Sequence, residues 1–262
     1  MNVKLFSVII IMALIFLIAL SQMQTLYFRN NFGDLEFEAV VSMTTIPTRS
    51  AHPWVAANIK NMLLTTPNNL SFFLNIPRRS KAGEEYIIHA GILELQSARF
   101  HLNRDCIDEG PATKILPTLR SSKIKDSQTI IVLDDDIIYY PSTFSILMEA
   151  VRKQPDAVHA MCSPVILGYQ GFAFKKRTLL GLISLDHPTE CEYVDDDILD
   201  YHVRNVLRIP IKATSRGPWF CSFDKKQSET STPTSEWPEL QFHTDRRSLQ
   251  KKCVQTLRDT YK

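Results

Sequence analysis

The fold can be read from residues 129–141, Thr-Ile-Ile-Val-Leu-Asp-Asp-Asp-Ile-Ile-Tyr-Tyr-Pro. The apolar part, Ile130 to Leu133, is rich in β-branched residues and too short for a helix, which predicts a strand buried on both faces. Three carboxylates, Asp134, Asp135 and Asp136, follow directly and would lie just past the C-terminal end of that strand. In open α/β sheets this is the edge at which ligands bind.

The acidic triplet has two interpretations. Adjacent carboxylates repel one another and burial raises the cost, so a divalent cation would relieve both problems. Hard oxygen ligands suit Mg²⁺ or Mn²⁺, which usually also hold the phosphates of a substrate, and this interpretation predicts a metal–diphosphate site. The alternative is a solvated acidic turn before the helix that begins near Pro141, since Asp is common at helix starts. The triplet alone leaves both open.

The composition is that of a globular protein. The chain has 262 residues, of which 44% are hydrophobic and 22% charged, and its formal net charge is +2. This length fits one α/β domain with room for a tail. The near-neutral charge, without a basic patch interleaved with aromatic residues, argues against nucleic acid as a partner. The five cysteines form no CxxC pair, which argues against a zinc ribbon or a thioredoxin-type site.

The N-terminal stretch from Leu5 to Leu20 is almost uninterruptedly apolar and follows Lys4. Its length suits a signal peptide cleaved after Ser21, and a retained signal anchor is the other option. Under the positive-inside rule the rest of the chain then crosses into a lumen. We expect a single-pass type II membrane protein with its domain in the Golgi or ER lumen if eukaryotic, or a secreted protein after cleavage. The glycosylation acceptor Asn69-Leu70-Ser71 is consistent with that side.

Hydrophobic periodicity predicts alternating strands and helices. The strands are at 37–43, 70–76, 98–102, 129–133 and 157–162, and the helices at 52–64, 84–95, 111–119 and 142–152. Such alternation indicates α/β architecture with a doubly wound, mostly parallel sheet. A helix at 195–207 and a late strand at 208–213 follow.

The domain organisation follows from these patterns. Residues 1–25 are predicted to be a signal anchor or signal peptide, 26–36 a short linker, 37–215 the α/β domain, and 216–262 a polar, partly flexible tail with a short surface helix at 248–257.

Four stretches follow strands or open helices and could line one cleft, namely 44–49, 108–114, 134–136 and 195–197. The first offers hydroxyls, backbone N–H groups and Arg49 to a nucleotide's base, ribose or phosphate. In the second, Lys114 could reach a diphosphate, and Asp108 a base N–H or a ribose hydroxyl. The alternatives are an ordinary strand–helix turn and a solvated helix start.

The last triplet, Asp195 to Asp197, would occupy a first helical turn, where the helix dipole alone could explain it. The functional interpretation is a general base that deprotonates an acceptor hydroxyl. His202 is predicted to be a packed helix residue. His243 is a surface residue or, alternatively, a late metal ligand.

In their order, these motifs resemble those of glycosyltransferases of the GT-A fold, of the family-2-like type. Four segments and one loop carry the resemblance: Ser42-Met43-Thr44-Thr45-Ile46-Pro47-Thr48-Arg49; Asp108, Gly110, Pro111 and Lys114; Asp134 to Ile137 with Tyr140-Pro141; the glycine–aromatic loop Gly168 to Phe174; and Asp196-Asp197. One residue more than in the family pattern stands before the tyrosine–proline pair. The ordered set covers roughly residues 38–212.

The resemblance implies a hexosyltransferase-like enzyme with a nucleotide-sugar donor, UDP-linked, and Mn²⁺ or Mg²⁺ bridging its diphosphate. It implies three sets of residues: Thr45, Pro47, Arg49, Asp108, Lys114, Asp134 and Asp135 at the donor; Asp134 and Asp136 at the metal; and Asp197, or its neighbour Asp196, as the base of an inverting displacement. The expected partners are the donor, a glycan, lipid or protein acceptor, and a membrane through the N-terminal segment.

Two rival functions stay open from the sequence. One is a metal-dependent phosphohydrolase, since acidic clusters at strand ends also hold two-metal sites. The other is a catalytically lapsed module that still binds a nucleotide sugar.

Overall fold

The computed structural model describes residues 37–185, 188, 191, 195–214 and 246–261. The described residues all belong to one compact unit, Phe37–Lys262. The predicted signal segment, the linker and His243 lie outside the described residues. Within the described part, no helix combines the length and apolar composition that a bilayer crossing requires.

Within the described residues, seven strands form one sheet. In chain order they are β1 (Ala39–Thr44), β2 (Leu70–Asn75), β3 (Phe100–Asn103), β4 (Thr129–Val132), β5 (Val158–Ala160), β6 (Phe172–Lys175) and β7 (Ile211–Ala213). Their spatial order is β3-β2-β1-β4-β6-β5-β7. The predicted mostly parallel sheet is present: β1 pairs in parallel with β2 and β4, β2 with β3, and β5 with β7.

One strand departs from the parallel arrangement. β6 runs antiparallel to both of its neighbours, β4 and β5. The connection from β5 to β6, residues 161–171, holds only a 3₁₀ turn at Gly168–Gln170. A parallel connection needs a crossover of a dozen or more residues, usually with a helix, so this link can only reverse the chain.

Helices lie between these strands, and one more follows β7. The described α-helices are α1 (Pro47–Ser50), α2 (Pro53–Thr65), α3 (Ala90–Leu93), α4 (Leu116–Arg120), α5 (Pro141–Lys153), α6 (Asp195–Tyr201) and α7 (Arg246–Thr260). Further 3₁₀ segments lie at Ala112–Lys114 and Lys176–Ser184, and a π-helical turn at His202–Val206 continues α6.

Two predicted helices differ from expectation, one in its length and one in its continuity. Of the helix predicted at 84–95 only α3 forms, because the preceding backbone pairs elsewhere: the N–H of Tyr86 donates to Arg78, and that of His89 to Ser50. The helix predicted at 111–119 is divided into a 3₁₀ turn and α4. Pro117, near the start of α4, has no N–H to continue the hydrogen-bond ladder of a single helix.

The sheet is covered on both faces, which confirms the doubly wound arrangement. In β4 and the residue after it, Ile131 and Leu133 belong to a core with α2 and α5. The alternating residues Ile130 and Val132 belong to a second core with α4, the 3₁₀ segment 176–184 and α6. Period-two alternation between two apolar cores explains why this segment is uniformly hydrophobic.

The C-terminal helix is more than the surface helix predicted at 248–257. Cys253 and Leu257 of α7 are fully buried, and Cys253 forms a disulfide with Cys191, which precedes α6. The two cysteines are 62 positions apart in sequence, a pairing that their spacing alone could not predict.

Candidate functional site

The first acidic triplet lies at the carboxyl edge of the sheet. β1 pairs in parallel with β4, with Ser42 beside Val132, so the segments that follow these two strands emerge side by side. The segment after β1 carries Thr45 and leads into α1, which carries Arg49. This topology brings Thr45 next to Asp135, and Arg49 next to Asp135 and Asp136.

Asp135 is the buried member of the triplet and is 1% exposed. The hydroxyl of Thr45 donates to Asp135 Oδ2 at 2.6 Å, and Arg49 Nη1 lies 3.0 Å from Asp135 Oδ1 and 2.7 Å from Asp136 Oδ2. Burial raises the pKa of Asp135 to about 6, although the charge of Arg49 acts in the opposite direction. Arg49 thus bridges two adjacent carboxylates.

Lys114 joins the two acidic triplets. Its ammonium group, only 6% exposed at the side chain, lies 3.0 Å from Asp134 Oδ1 and 3.4 Å from Asp196 Oδ1. Its main chain is also held, because the Ser42 hydroxyl donates to the Lys114 carbonyl at 2.5 Å. Acids that are about sixty positions apart in the chain therefore converge on one cation.

Gly168 packs against Lys114, Asp134 and Asp196. Its N–H lies 3.1 and 3.0 Å from the two carboxylate oxygens of Asp196, and a Cβ at this position would fall on Lys114 Nζ and the Asp134 carboxylate. The Tyr139 hydroxyl accepts from the Asp134 N–H at 3.0 Å and donates toward the carbonyls of Gly168 and Tyr169. Neither Gly168 nor Tyr139 was a predicted site residue. The glycine–aromatic motif was the available signal, but it does not show what the glycine approaches.

A polar framework below the site was also missed. On α2, Asn58 Nδ2 donates to the carbonyls of Asp135 and Ile137, at 2.8 and 3.0 Å. Asn75 of β2 donates to the hydroxyl of Thr118 at 2.9 Å. These buried amides satisfy main-chain and hydroxyl groups that would otherwise be costly to bury. They fix the turn that carries the triplet and the helix next to Lys114.

Three predicted site residues have other contacts. Asp108 accepts from the N–H groups of Lys81 and Gly110, at 2.9 and 2.8 Å, and so holds the loop before the 3₁₀ turn. Pro47 is the first residue of α1 and sets the start of the helix that carries Arg49. Asp197 Oδ1 accepts from Gln250 Nε2 of α7 at 2.6 Å. The donor contacts predicted for Asp108 and Pro47 stay predictions.

His202 is fully buried in the π-helical turn, in agreement with its predicted role as a packed helix residue. The rings of His202 and Tyr261 pack edge to face, with their centroids 5.2 Å apart.

The charges of the site decide which kind of metal binding it can support. Four carboxylates, Asp134, Asp135, Asp136 and Asp196, meet two cations, Arg49 and Lys114, which leaves an excess of two negative charges in this group. The two cations relieve part of the repulsion from which a metal was predicted. Among the described residues, no group of three or more His, Cys, Asp or Glu side chains forms a metal-binding set.

Asp134 and Asp136 nevertheless suit a shared metal site. Their side chains are 28% and 33% exposed, unlike that of Asp135. Mg²⁺ commonly takes one or two carboxylates from a protein and completes its shell with water and substrate phosphates. The residues therefore fit a cation that is held jointly with a diphosphate rather than a cage built of protein ligands alone.

No protein-family model matches the chain, and no curated protein matches it. Among solved structures it is similar to a mannosyltransferase from Pyrobaculum calidifontis, described in complex with GDP-Man and Mn²⁺. The identity is 15%, the match covers 67% of this chain and 53% of the other, and the TM-score is 0.47. The match thus spans about half of that enzyme.

Two further solved structures are similar. A cytidylyltransferase from Leptospira borgpetersenii is 12% identical, over 67% of this chain and 74% of the other, with a TM-score of 0.46. The galactosyltransferase LgtC, in complex with donor and acceptor sugar analogs, is 11% identical, over 54% and 59%, with a TM-score of 0.36. Glycosyltransferases thus occur among the similar structures, as the ordered motifs led us to expect.

Proposed function

We propose that the protein is a metal-dependent glycosyltransferase that moves a sugar from a nucleotide-sugar donor to an acceptor hydroxyl with inversion. The observation that carries this proposal is the meeting of the two acidic triplets at Lys114, with Arg49 beside them, at the carboxyl edge of the sheet. Such a site offers cations to a diphosphate and carboxylates to both a metal and an acceptor.

The donor end is formed by Arg49, Lys114 and Thr45. Guanidinium and ammonium groups form charge-assisted hydrogen bonds with phosphate oxygens, and here they are already held in place by carboxylates. Asp134 and Asp136 would hold Mn²⁺ or Mg²⁺ together with the diphosphate. When bound, such an ion stabilises the negative charge of the leaving nucleoside diphosphate. The resemblance of the motifs favours a UDP-linked donor.

The acceptor end is assigned to Asp197. Asp196 already accepts from Gly168 and Lys114, so its carboxylate is engaged in holding the donor side. Asp197 has one oxygen on Gln250, and its other oxygen has no partner within the described residues. A general base needs such an available lone pair. In the proposed displacement, Asp197 takes the proton of the acceptor hydroxyl. The oxygen of that hydroxyl bonds to the anomeric carbon of the sugar while the bond from that carbon to the phosphate oxygen breaks.

We also propose that the domain faces a lumen or the exterior. The Cys191–Cys253 disulfide supports this location, because disulfides persist in oxidising compartments and are rare in the cytosol. A retained N-terminal anchor would make the protein a single-pass membrane enzyme.

A donor screen tests the proposed activity. The protein is incubated with Mn²⁺ and a panel of UDP- and GDP-sugars, and nucleoside diphosphate release is measured for wild type, Asp136→Asn and Asp126→Asn. Asp136→Asn should lower the rate at least about 10²-fold, the order seen when one electrostatic stabiliser is removed. Asp126, an exposed residue that lies 3.5 Å from Lys176, provides the matched control.

The products separate the rival functions. Release of inorganic phosphate instead of a nucleoside diphosphate would favour a phosphohydrolase. Metal-dependent binding of the nucleotide sugar without turnover would favour a lapsed module, and equal activity of wild type and Asp136→Asn would reject the metal role of Asp136.

A further inference from the structure

One face of α7 contacts the helix that carries the second acidic triplet. Gln250, Cys253, Leu257 and, just past the helix, Tyr261 recur every three or four residues, the spacing of a single helix face. Each has its partner in or next to α6. The partners are Asp197 for Gln250, Cys191 for Cys253, the small core with Ile198 for Leu257, and His202 for Tyr261. Residues on the other side of α7, including Lys251, Lys252 and Gln255, are exposed.

This contact matters because α6 is too short to be a stable helix without packing partners. It has seven residues, and an isolated helix of that length is unstable in water. Leu199 and the neighbouring Val203 anchor its inner side to the core under the sheet. Ile198 and the disulfide fix its other side to α7. The orientation of the acids on α6 therefore depends on a helix that begins about thirty residues after β7.

On this face of α7, Gln250 is the residue that contacts the acidic triplet of α6. Its Nε2 donates to Asp197 Oδ1 at 2.6 Å, which fixes the carboxylate but adds no positive charge. Lys114, by contrast, pairs with the neighbouring Asp196 through its charge. Catalytic bases are commonly oriented by a third group in this way.

We propose that Gln250 is a positioning residue that orients the carboxylate of Asp197 toward the acceptor hydroxyl, and that α7 is the element that places it there. This inference rests on the proposed glycosyl transfer and adds to it a residue outside the resembling motifs. Gln250 itself touches neither donor nor acceptor in this proposal, so its loss should affect turnover and spare donor binding.

The experiment compares two Gln-to-Glu substitutions on the same helix. Gln250→Glu keeps the shape of the side chain but replaces its N–H donor by a carboxylate that faces Asp197. Gln255→Glu makes the same change at an exposed position, where the amide donates to the carboxylate of Asp259 at 2.9 Å. For both variants and wild type, kcat, the donor KM, the donor Kd by calorimetry and the Tm are measured.

We expect Gln250→Glu to lower kcat about 10- to 100-fold, because Asp197 loses a hydrogen bond and gains a repelling carboxylate at the same place, with donor KM and Kd unchanged. Gln255→Glu should match wild type in all four quantities. An unchanged kcat for Gln250→Glu, in a wild type that transfers sugar, would overturn the inference and leave the proposed function standing. Parallel losses of kcat, donor affinity and Tm would also overturn it, because they indicate a purely structural role. A wild type that neither binds nor transfers a nucleotide sugar would overturn the proposed function together with this inference.

Discussion

The three adjacent aspartates occupy three different environments. Asp135 is enclosed by Thr45 and Arg49, Asp134 pairs with Lys114, and Asp136 is the most exposed of the three and shares Arg49. Successive residues at the end of a strand point in different directions, so one short motif can face three partners. The motif therefore combines a buried carboxylate, Asp135, with two more exposed ones, Asp134 and Asp136.

The close approach at Gly168 gives a first prediction. In Gly168→Ala, the added methyl group would fall on Lys114 Nζ and the Asp134 carboxylate, both of them ends of side chains that can move apart. We expect the Tm to change little, because both groups are side-chain ends, and the affinity for the proposed nucleotide-sugar donor to fall at least about tenfold, since Lys114 and Asp134 are displaced from the positions in which they would hold the donor and the metal. Calorimetric titration with the donor and Mn²⁺ measures this effect.

Gly181→Ala provides the control, because its methyl group would meet the end of the Leu207 side chain at 2.7 Å, in a contact that includes none of the site residues. Equal donor affinities for Gly168→Ala and Gly181→Ala would contradict the role assigned to the close approach.

Among the helices, α2 supports the acidic turn of the site through Asn58. It packs on the sheet through Val55, Ile59 and Met62, and this packing places Asn58 below the acidic turn. Asn58 then holds the carbonyls of Asp135 and Ile137, so that the turn is supported from the core and not only by the ion pairs above it.

Asn58→Ala should therefore lower the free energy of unfolding by about 1–3 kcal/mol, since buried carbonyls lose their donors. It should also reduce metal-dependent transfer, because the Asp135–Asp136 turn is no longer held. Urea unfolding and the rate of nucleoside diphosphate release are the measurements. Asn61→Ala, on the exposed side of the same helix, should leave both unchanged. If the two variants behave alike, α2 does not support the turn.

The disulfide ties distant parts of the Phe37–Lys262 unit together. It closes a loop between positions 62 apart and joins α7 to the segment in front of α6. Cross-links of this kind restrict the unfolded chain and stabilise the folded one by about 2–4 kcal/mol, more for longer loops.

Cys253→Ser should thus lower the free energy of unfolding of the oxidised protein by about 2–4 kcal/mol and should abolish the effect of added reductant on stability. Chemical unfolding with and without reductant measures both. Cys106→Ser, at a half-buried cysteine outside the disulfide, is the control and should keep the sensitivity to reductant. A Cys253→Ser protein that still loses stability on reduction would show that another bond is responsible.

Local patterns predicted most of the sheet. Strands buried on both faces appear as uninterrupted apolar runs, and the acids that end such runs must lie at the carboxyl edge. The structure places Thr45, Arg49, Lys114 and Asp134 to Asp136 beside one another at that edge, and their roles at a donor and a metal stay predictions. Local patterns did not predict Asn58 or Tyr139, whose roles depend on neighbours that are remote in sequence.

By itself, the sequence determined the strands, their burial on both faces and the order of the acidic motifs, because hydrophobic periodicity and strand-end chemistry are local properties of the chain. The tertiary structure alone decided that β6 reverses its direction, that α7 docks on α6, and that Lys114 lies between Asp134 and Asp196. These are pairings between distant segments, and they depend on which surfaces fit together when the chain packs, a property that no short stretch of residues contains.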